Sequence, residues 1–380
     1  MKIYDTAWFK EFECLCASCP STCCRGWVVP LSGTDIERLR REKGRLSVSL
    51  FFATEGWSVP KFNSRSKTCH FLARDGLCTL QKKKGHDFIP WTCQSYPRFY
   101  RNYGEFEECC LDLSCPGAAR LFMKHEGSTE LLCREGDPHT RACTTNDDRD
   151  FLSFLLRIRD QMMEECRKEG CGSVCDPLFL FSAGLQDDLV KGGGDLSASF
   201  TGFYEKYHAA YPRDPVTFPL PLSVIRGFLS SSLYHVRLKR TSPAIHALFG
   251  KAQKFLKGFG ADDAAFKKYF SDILAALPLL GQTAGRYLAY YLFQYFMRAY
   301  ETYSFRRQAG LGICHLNMVL VLLLAVAADC GRAEEMTADM IADTMALYNR
   351  RAYFNDDIQD QMYRIFEDGV KVFASRDDCL

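Results

Sequence analysis

The chain has 380 residues, a hydrophobic content of 47%, a charged content of 25% and a formal net charge of +2. These are the proportions of an ordinary globular protein, and the length exceeds the usual single-core size, so two domains are expected. The near-neutral balance offers no concentrated basic face, so no nucleic-acid partner is expected.

Nineteen cysteines are present, and eleven of them precede residue 120. A free thiol in a core is only a small hydrophobe, so packing alone does not call for this density. Disulfides would explain it in a small secreted scaffold. The opening MKIYDTAWFKEFE, however, lacks the basic and apolar regions of a signal peptide, and the chain is far larger than such scaffolds. A reducing cytoplasm with thiols kept available for metal is the expectation. The longest apolar run, Met318 to Ala328, has eleven residues. A bilayer needs about twenty, so a buried helix is predicted and no transmembrane segment; peripheral membrane association and self-association stay open.

In chain order, residues 1–33 read as a first cysteine loop, broken by Pro20, Gly26 and Pro30. Thr34 and Glu37 have capping-box spacing ahead of the helical run IERLRREK. LSVSLFF reads as a short strand. KTCHFLARDGLCTL reads as a hairpin-like Cys-loop-Cys with Asp75-Gly76 at the turn. Its thiols alternate with large apolar residues that would anchor the loop on a small core. Lys82 to Lys84 read as a solvated face. Pro90 should open a helical turn presenting Cys93, and Pro97 should end it. Ser114 is the expected N-cap of a helix with Pro116 at its first position. Cys115 would then lie at a helix N-terminus, where the dipole favours a thiolate.

Residues 126–149 lack periodicity and read as a linker or irregular connection. Beyond them Phe151, Phe154, Leu155, Ile158 and Met162 recur at helical spacing. KGGGD at 191–195 is a loop, and further helices are predicted near 222–238, 244–258, 262–278, 282–305, 312–329, 336–350 and 356–374. The aromatic stripe in GRYLAYYLFQYFMRAYETY reads as core. The fold expected is mainly α: a small irregular cysteine-rich metal-binding module (1–125), the connection 126–149 and a multi-helical domain (150–380).

The strongest chemical signal is Cys14-x4-Cys19-x3-Cys23-Cys24, followed by Cys69, Cys78, Cys93 and Cys115. Soft thiolates at short spacing suit zinc, Cu(I) or iron–sulfur clusters. Zinc fingers present two CxxC-type pairs, whereas the one such pair among these cysteines is Cys16 to Cys19. Adjacent cysteines serve neighbouring irons of a cluster more readily than one zinc. A single zinc stapling the loops is the bland alternative. The CxxxCxxC signature is absent, Cys171-x3-Cys175 has no third partner, and neither a Walker loop nor GxGxxG occurs. His70 and His315 read as structural histidines. Arg98 and Arg120, beside these thiols, could neutralise a thiolate-rich cluster or orient a carboxylate.

These residues resemble the flagellin lysine-N-methylase family. The likeness rests on Cys-x4-Cys-x3-Cys-Cys-x-Gly-Trp (Cys14 to Trp27) and Cys-x-Phe-Leu with Gly-x-Cys (Cys69 to Cys78). It continues in Thr-Cys-x-x-Tyr-Pro-Arg (Thr92 to Arg98) and Leu-Ser-Cys-Pro-x-Ala-Ala-Arg-Leu (Leu113 to Leu121). A wider group of cysteine-cluster proteins, described as zinc- or iron-chelating, shares parts of these motifs. The resemblance implies S-adenosylmethionine-dependent methylation of flagellin lysines in the bacterial cytosol, with a 4Fe-4S cluster. It carries over Cys14, Cys19, Cys23, Cys24, Cys69, Cys78, Cys93 and Cys115 as metal ligands. Cys16, Cys109 and Cys110 fall outside it. Soft-ligand excess and resemblance together favour iron–sulfur over zinc; the alternative is a non-catalytic zinc- or iron-binding or interaction protein.

Overall fold

The computed structural model describes residues 1–25, 29–56, 60–62, 64–65, 68–125, 130–140, 142–144, 146–168, 219–233, 243–330, 335–353 and 356–374. KGGGD, Cys171, Cys175 and Trp27 lie outside the described residues. The protein is mainly helical, with the cysteine-rich segment at its N-terminal end.

A four-stranded sheet organises that end. Its strands are β1 (Lys2–Thr6), β7 (Arg98–Asn102), β8 (Phe106–Leu111) and β9 (Leu131–Glu135), in the order β7-β8-β1-β9. β1 and β8 pair parallel, whereas β7 runs antiparallel to β8 and β9 antiparallel to β1. Parallel neighbours need a long crossover, and here residues 7–97 supply most of it. The exits of β1 and β8 and the entry of β7 therefore lie at the same end of the sheet. Cys14 to Cys24 follow the first exit, Cys93 precedes the entry, and Cys115 follows the second exit. Thiols about a hundred residues apart in sequence are thus delivered to one place by strand direction alone.

The crossover has its own small elements: β2 (Val29–Pro30), α1 (Gly33–Arg40), α2 (Arg45–Ala53), β3 (Thr54–Glu55), β4 (Lys61–Phe62), β5 (Ser64–Arg65), β6 (Thr68–Cys69), α3 (Thr79–Lys84) and α4 (Trp91–Ser95). α5 (Pro116–Lys124) and α6 (Arg149–Lys168) follow; later helices are named by their residues.

Four local expectations are corrected. LSVSLFF is helical, within α2, because Leu50 and Ala53 bury one helical face while Phe51 and Phe52 point outward. The capping box of α1 is Ser32 with Asp35, two residues before the sequence pairing of Thr34 and Glu37. Cys115, not Ser114, is the N-cap residue of α5, with Pro116 at the first helical position. Within the stretch read as an irregular connection, Leu131–Glu135 forms edge strand β9.

The helical expectations beyond residue 150 match Leu222–Leu233, Pro243–Lys257, Asp263–Ala276, Pro278–Tyr291, Phe305–Asp329, Ala338–Ala352 and Asp356–Ala374. A π-helical turn, Leu292–Phe296, interrupts the aromatic stretch before the short helix Arg298–Thr302. The helix Phe305–Asp329 is long and apolar enough to cross a membrane by length and composition, but 89% of its most apolar window is buried inside the protein.

Buried hydrophobic residues form two clusters. The larger joins the four-stranded sheet and α5 to the helices as far as Phe366. The smaller belongs to the crossover: Val29, Leu31, Leu39, Leu50, Ala53, Phe62, Phe71, Leu80 and Ile89, with Cys69, Cys78 and Cys93 packed against it.

Candidate functional site: a thiol-lined cavity

All eight cysteines singled out by spacing line one cavity of about 260 Å³. Cys16, which fell outside the motif, lines it as well, and so do Tyr96, Arg98 and His86. Cys109 and Cys110 are not in its wall; both are buried on β8.

Each loop is tied down by its own backbone chemistry. The first thiol loop folds on itself: Cys16 N–H donates to Cys14 Sγ at 3.4 Å, and Cys19 N–H to Cys16 O at 3.2 Å. It meets the second loop where Cys69 N–H donates to Cys24 O at 2.8 Å. The Asp75-Gly76 turn forms as expected, with an isolated antiparallel bridge from Leu72 to Cys78 and Gly76 at a φ of +81°. Phe71 and Leu80 enter the small core, which anchors Cys69 and Cys78.

Cys93 is held by α1. Asp35, buried in the capping box, accepts from Trp91 N–H at 3.1 Å and from Arg38 Nη2 at 2.6 Å. Arg38 also donates to Asp87 O and Ile89 O at 3.1 and 2.9 Å. A helix N-terminus therefore grips the loop that leads into α4, and α4 presents Cys93.

Cys115 is held from the helical side. Asp112 accepts from Ser114 N–H at 2.7 Å and from Tyr295 Oη–H at 2.8 Å. Leu113 N–H donates to Tyr290 Oη at 3.1 Å. Both tyrosines come from the stripe read as core. They are core, and they also fix the turn that carries Cys115. A π-turn adds a residue to the helical repeat and rotates the helix beyond it; Tyr295 sits within that turn. At the far end of α5, Arg286 donates to the carbonyls of Phe122 and His125.

Arg350, near the end of the helix Ala338–Ala352, brings a cation to the cavity from the helical side. It lines the cavity, and its Nη1 donates to Ser21 Oγ at 2.7 Å and Thr22 O at 3.1 Å. Sequence reasoning named Arg98 and Arg120 instead. Arg98 lies in the wall, over the Phe12 ring at 5.2 Å with Nη2 to Phe12 O at 3.3 Å. Arg120 turns to Asp343, with Nη2 3.0 Å from Oδ2. No local signal marked Arg350: it lies among the turns of a remote helix, and only tertiary packing brings it to residues 21–24.

The thiols are not electrostatically equal. Cys23 donates its proton to the Cys24 sulfur, which lowers the Cys24 thiol to about 7; burial opposes this, and Thr22 and the Arg350 charge assist. Cys23 is correspondingly pushed far up, with burial second. Burial pushes Cys69 up to about 11 and also raises Cys78 and Cys93, the last aided by neighbouring Cys69 and Cys24. For Cys115 the backbone N–H groups of Ala118 and Gly117 favour the thiolate, as a helix N-terminus should. Burial outweighs them, and the thiol is pushed up to about 11. Without metal, burial therefore holds Cys69, Cys78, Cys93 and Cys115 toward the protonated thiol, whereas Cys24 is drawn toward the thiolate.

Of the two histidines, His70 faces Ser49 Oγ at 3.3 Å and stands edge-on to Phe71, away from the wall. His315 is fully buried, with Nδ1 2.7 Å from Tyr348 Oη.

The fold and cavity describe a mainly helical protein that gathers nine thiols and two arginines around one cavity. Over a 122-residue stretch the chain is 27% identical to the flagellar biosynthetic protein FliU of Salmonella muenchen and to the lysine-N-methylases of Salmonella typhimurium and Salmonella choleraesuis. That stretch is 30% of this chain, 72% of the FliU protein and 30% of each lysine-N-methylase, so the chain spans under a third of the latter relatives. The chain is a distant relative of these proteins. Neither a family model nor a solved structure matches it.

Proposed function

We propose that the protein is a protein-lysine N-methyltransferase whose thiol-lined cavity holds a 4Fe-4S cluster, acting in the bacterial cytoplasm with S-adenosylmethionine as methyl donor and flagellin as substrate. One observation carries the reading: eight thiols from four separate loops, with Arg350, surround a single cavity in a chain distantly related to lysine-N-methylases.

The residues fit a cluster better than a lone zinc ion. Zinc–sulfur bonds of about 2.3 Å place tetrahedral thiolates about 3.8 Å apart. Among the described residues no three of these sulfurs lie within 4.8 Å of one another. Nine soft thiols around one cavity also exceed the four donors that a single zinc ion takes, and that surplus favours a multinuclear guest. Such a guest supplies Lewis-acid iron and an electron-transfer centre.

The chain's own contribution is to receive and hold it. Metal ligands must be deprotonated, and Cys24, with its lowered pKa, is the thiol poised to ligate first. Arg350 offsets the thiolate charge and ties residues 21–22 to the helical core. In the overall reaction the sulfonium S–CH₃ bond breaks, an N–CH₃ bond forms at lysine Nζ, and the amine gives up a proton. That nitrogen must be neutral, since an ammonium has no lone pair.

Anaerobic iron and acid-labile sulfide quantitation, followed by incubation with labelled S-adenosylmethionine and flagellin, tests this. Matched iron and sulfide together with label in lysine is the expected result. Iron and sulfide without label would leave a metal-binding protein, and stoichiometric zinc would leave a stapled helical one. The Cys23→Ser, Cys24→Ser double variant should lose iron and transfer together.

A further inference from the structure

We propose a second metal site, separate from the thiol cavity: a divalent zinc-type ion bound by Cys109, Glu107 and His139. Glu107 and Cys109 alternate along β8 and so project from the same face of the sheet. His139 reaches them from the chain after β9. Cys109 Sγ lies 3.7 Å from both Glu107 Oε2 and His139 Nδ1, and Oε2 lies 2.7 Å from Nδ1. These three donors form one group within 4.8 Å. None of the three residues lines the thiol cavity.

Their separations match a small ion. Zinc bonds of about 2.3 Å to sulfur and 2.0 Å to nitrogen or oxygen give tetrahedral edges of about 3.5 Å (S–N, S–O) and 3.3 Å (N–O). The two sulfur edges are already near that length. The Nδ1–Oε2 edge, now a hydrogen bond, must open by about 0.6 Å, and His139 sits on a partly exposed segment with 30% of its side chain accessible. One thiolate, one imidazole and one carboxylate are zinc's usual donors, and three of them leave a fourth position for water.

The arrangement does not suit a nucleophilic cysteine relay. In a relay the thiol and the acid engage opposite ring nitrogens; here both face Nδ1. The surroundings also call for a cation. The Glu107 side chain is fully buried, and among the described residues its ion-pair partner is His139 alone. Asp5, paired across the strands with Cys109, is answered by Arg134, with Oδ2 2.9 Å from Nε. With Cys109 ionised, the group Asp5, Glu107, Cys109 and Arg134 carries two net negative charges, which a divalent ion cancels. The ring is already oriented, stacked on Tyr100 with centroids 4.7 Å apart. Binding releases the Cys109 proton to solvent and moves the imidazole proton from Nδ1 to Nε2. Arg134 Nη2, now 3.4 Å from Nε2, gives up that contact and keeps Asp5.

The full chain, with its cavity loaded, is titrated with Co²⁺ as a zinc surrogate beside His139→Ala and Cys109→Ser. His139→Ala removes a partly exposed side chain and leaves the core intact. The expected result is one fewer bound Co²⁺ equivalent, or at least about a tenfold loss of affinity at that site, with cavity iron unchanged. Cys109→Ser should abolish the thiolate-to-cobalt charge-transfer band of this site. Equal Co²⁺ stoichiometry, affinity and band intensity in wild type and His139→Ala would overturn the proposal. Loss of the band together with cavity iron in His139→Ala would overturn it too.

Discussion

At the scale of single residues, Cys24 is the thiol with chemistry near neutral pH. Three causes lower its pKa against burial: the hydrogen bond from Cys23 is the largest, and Thr22 and the Arg350 charge come after it. In metal-free protein, site-resolved alkylation of Cys24 should therefore show a midpoint near pH 7. Cys23→Ala should move that midpoint up further than Arg350→Ala, toward the ordinary value of about 8.5. The reverse order would mean that the arginine, not the paired thiol, sets the ionisation. His315 carries a second pH dependence. It is fully buried, and burial lowers its pKa to about 3. It stays neutral when folded but takes up a proton when unfolded below about pH 6.5. The unfolded state thus binds more protons between those values, and stability falls by up to about 1.4 kcal/mol per pH unit on acidification. Urea unfolding at pH 7 and pH 5 should show this slope, and His315→Gln should flatten it. The thiols were legible in the sequence because their density has no packing rationale. Arg350 was not, since one arginine on an amphipathic helix carries no mark of what it will face.

At the scale of elements, the long helices were legible because apolar residues recurred over three or more turns. α2 was not, because LSVSLFF is too short to separate a period of two from one of 3.6. β9 was missed because an edge strand buries little: its side chains are exposed or only partly covered. The helix Phe305–Asp329 shows how tightly the legible part is packed. A Cβ on Gly310 would meet Phe366 Cε1 at 2.7 Å, and one on Gly312 would meet Tyr291 Cε1 at 2.8 Å. Helix propensity favours alanine over glycine by about 1 kcal/mol, but overpacking a core costs about 1–3 kcal/mol. Because backbone and ring are both held, the clash should win: Gly310→Ala and Gly312→Ala should each lower stability. Gly250, exposed in Pro243–Lys257 with nothing within 4 Å of its Cβ position, supplies the contrast. Gly250→Ala should raise stability by about 0.5–1 kcal/mol. Thermal melts of the three variants decide between propensity and packing.

At the scale of the whole molecule, the two hydrophobic clusters differ in what each can support. The larger runs from Ile3 to Phe366 and includes the sheet, α5 and the long helices. The smaller has nine buried residues, all from Val29 to Ile89, and packs against the Cys69, Cys78 and Cys93 side chains. A core that small does not secure some sixty residues without a staple. The hydrogen bonds that span the crossover bring its thiol loops together: Cys69 N–H to Cys24 O, Trp91 N–H, just before Cys93, to the Asp35 carboxylate, and Arg350 Nη1 to Ser21 Oγ and Thr22 O. A guest bound by thiols of all these loops would close the crossover onto that end of the sheet, and its binding energy would be folding energy for that part alone. Removing metal by chelation under reducing conditions should therefore act unevenly. Hydrogen exchange at amides of residues 29–93 should accelerate by at least about tenfold, while amides of Phe305–Asp329 keep their protection. Uniform acceleration would show one cooperative unit that the metal supports as a whole. Unchanged exchange throughout would show that the nine apolar residues hold the crossover unaided, and the thiol loops would then be preorganised for their guest rather than folded by it.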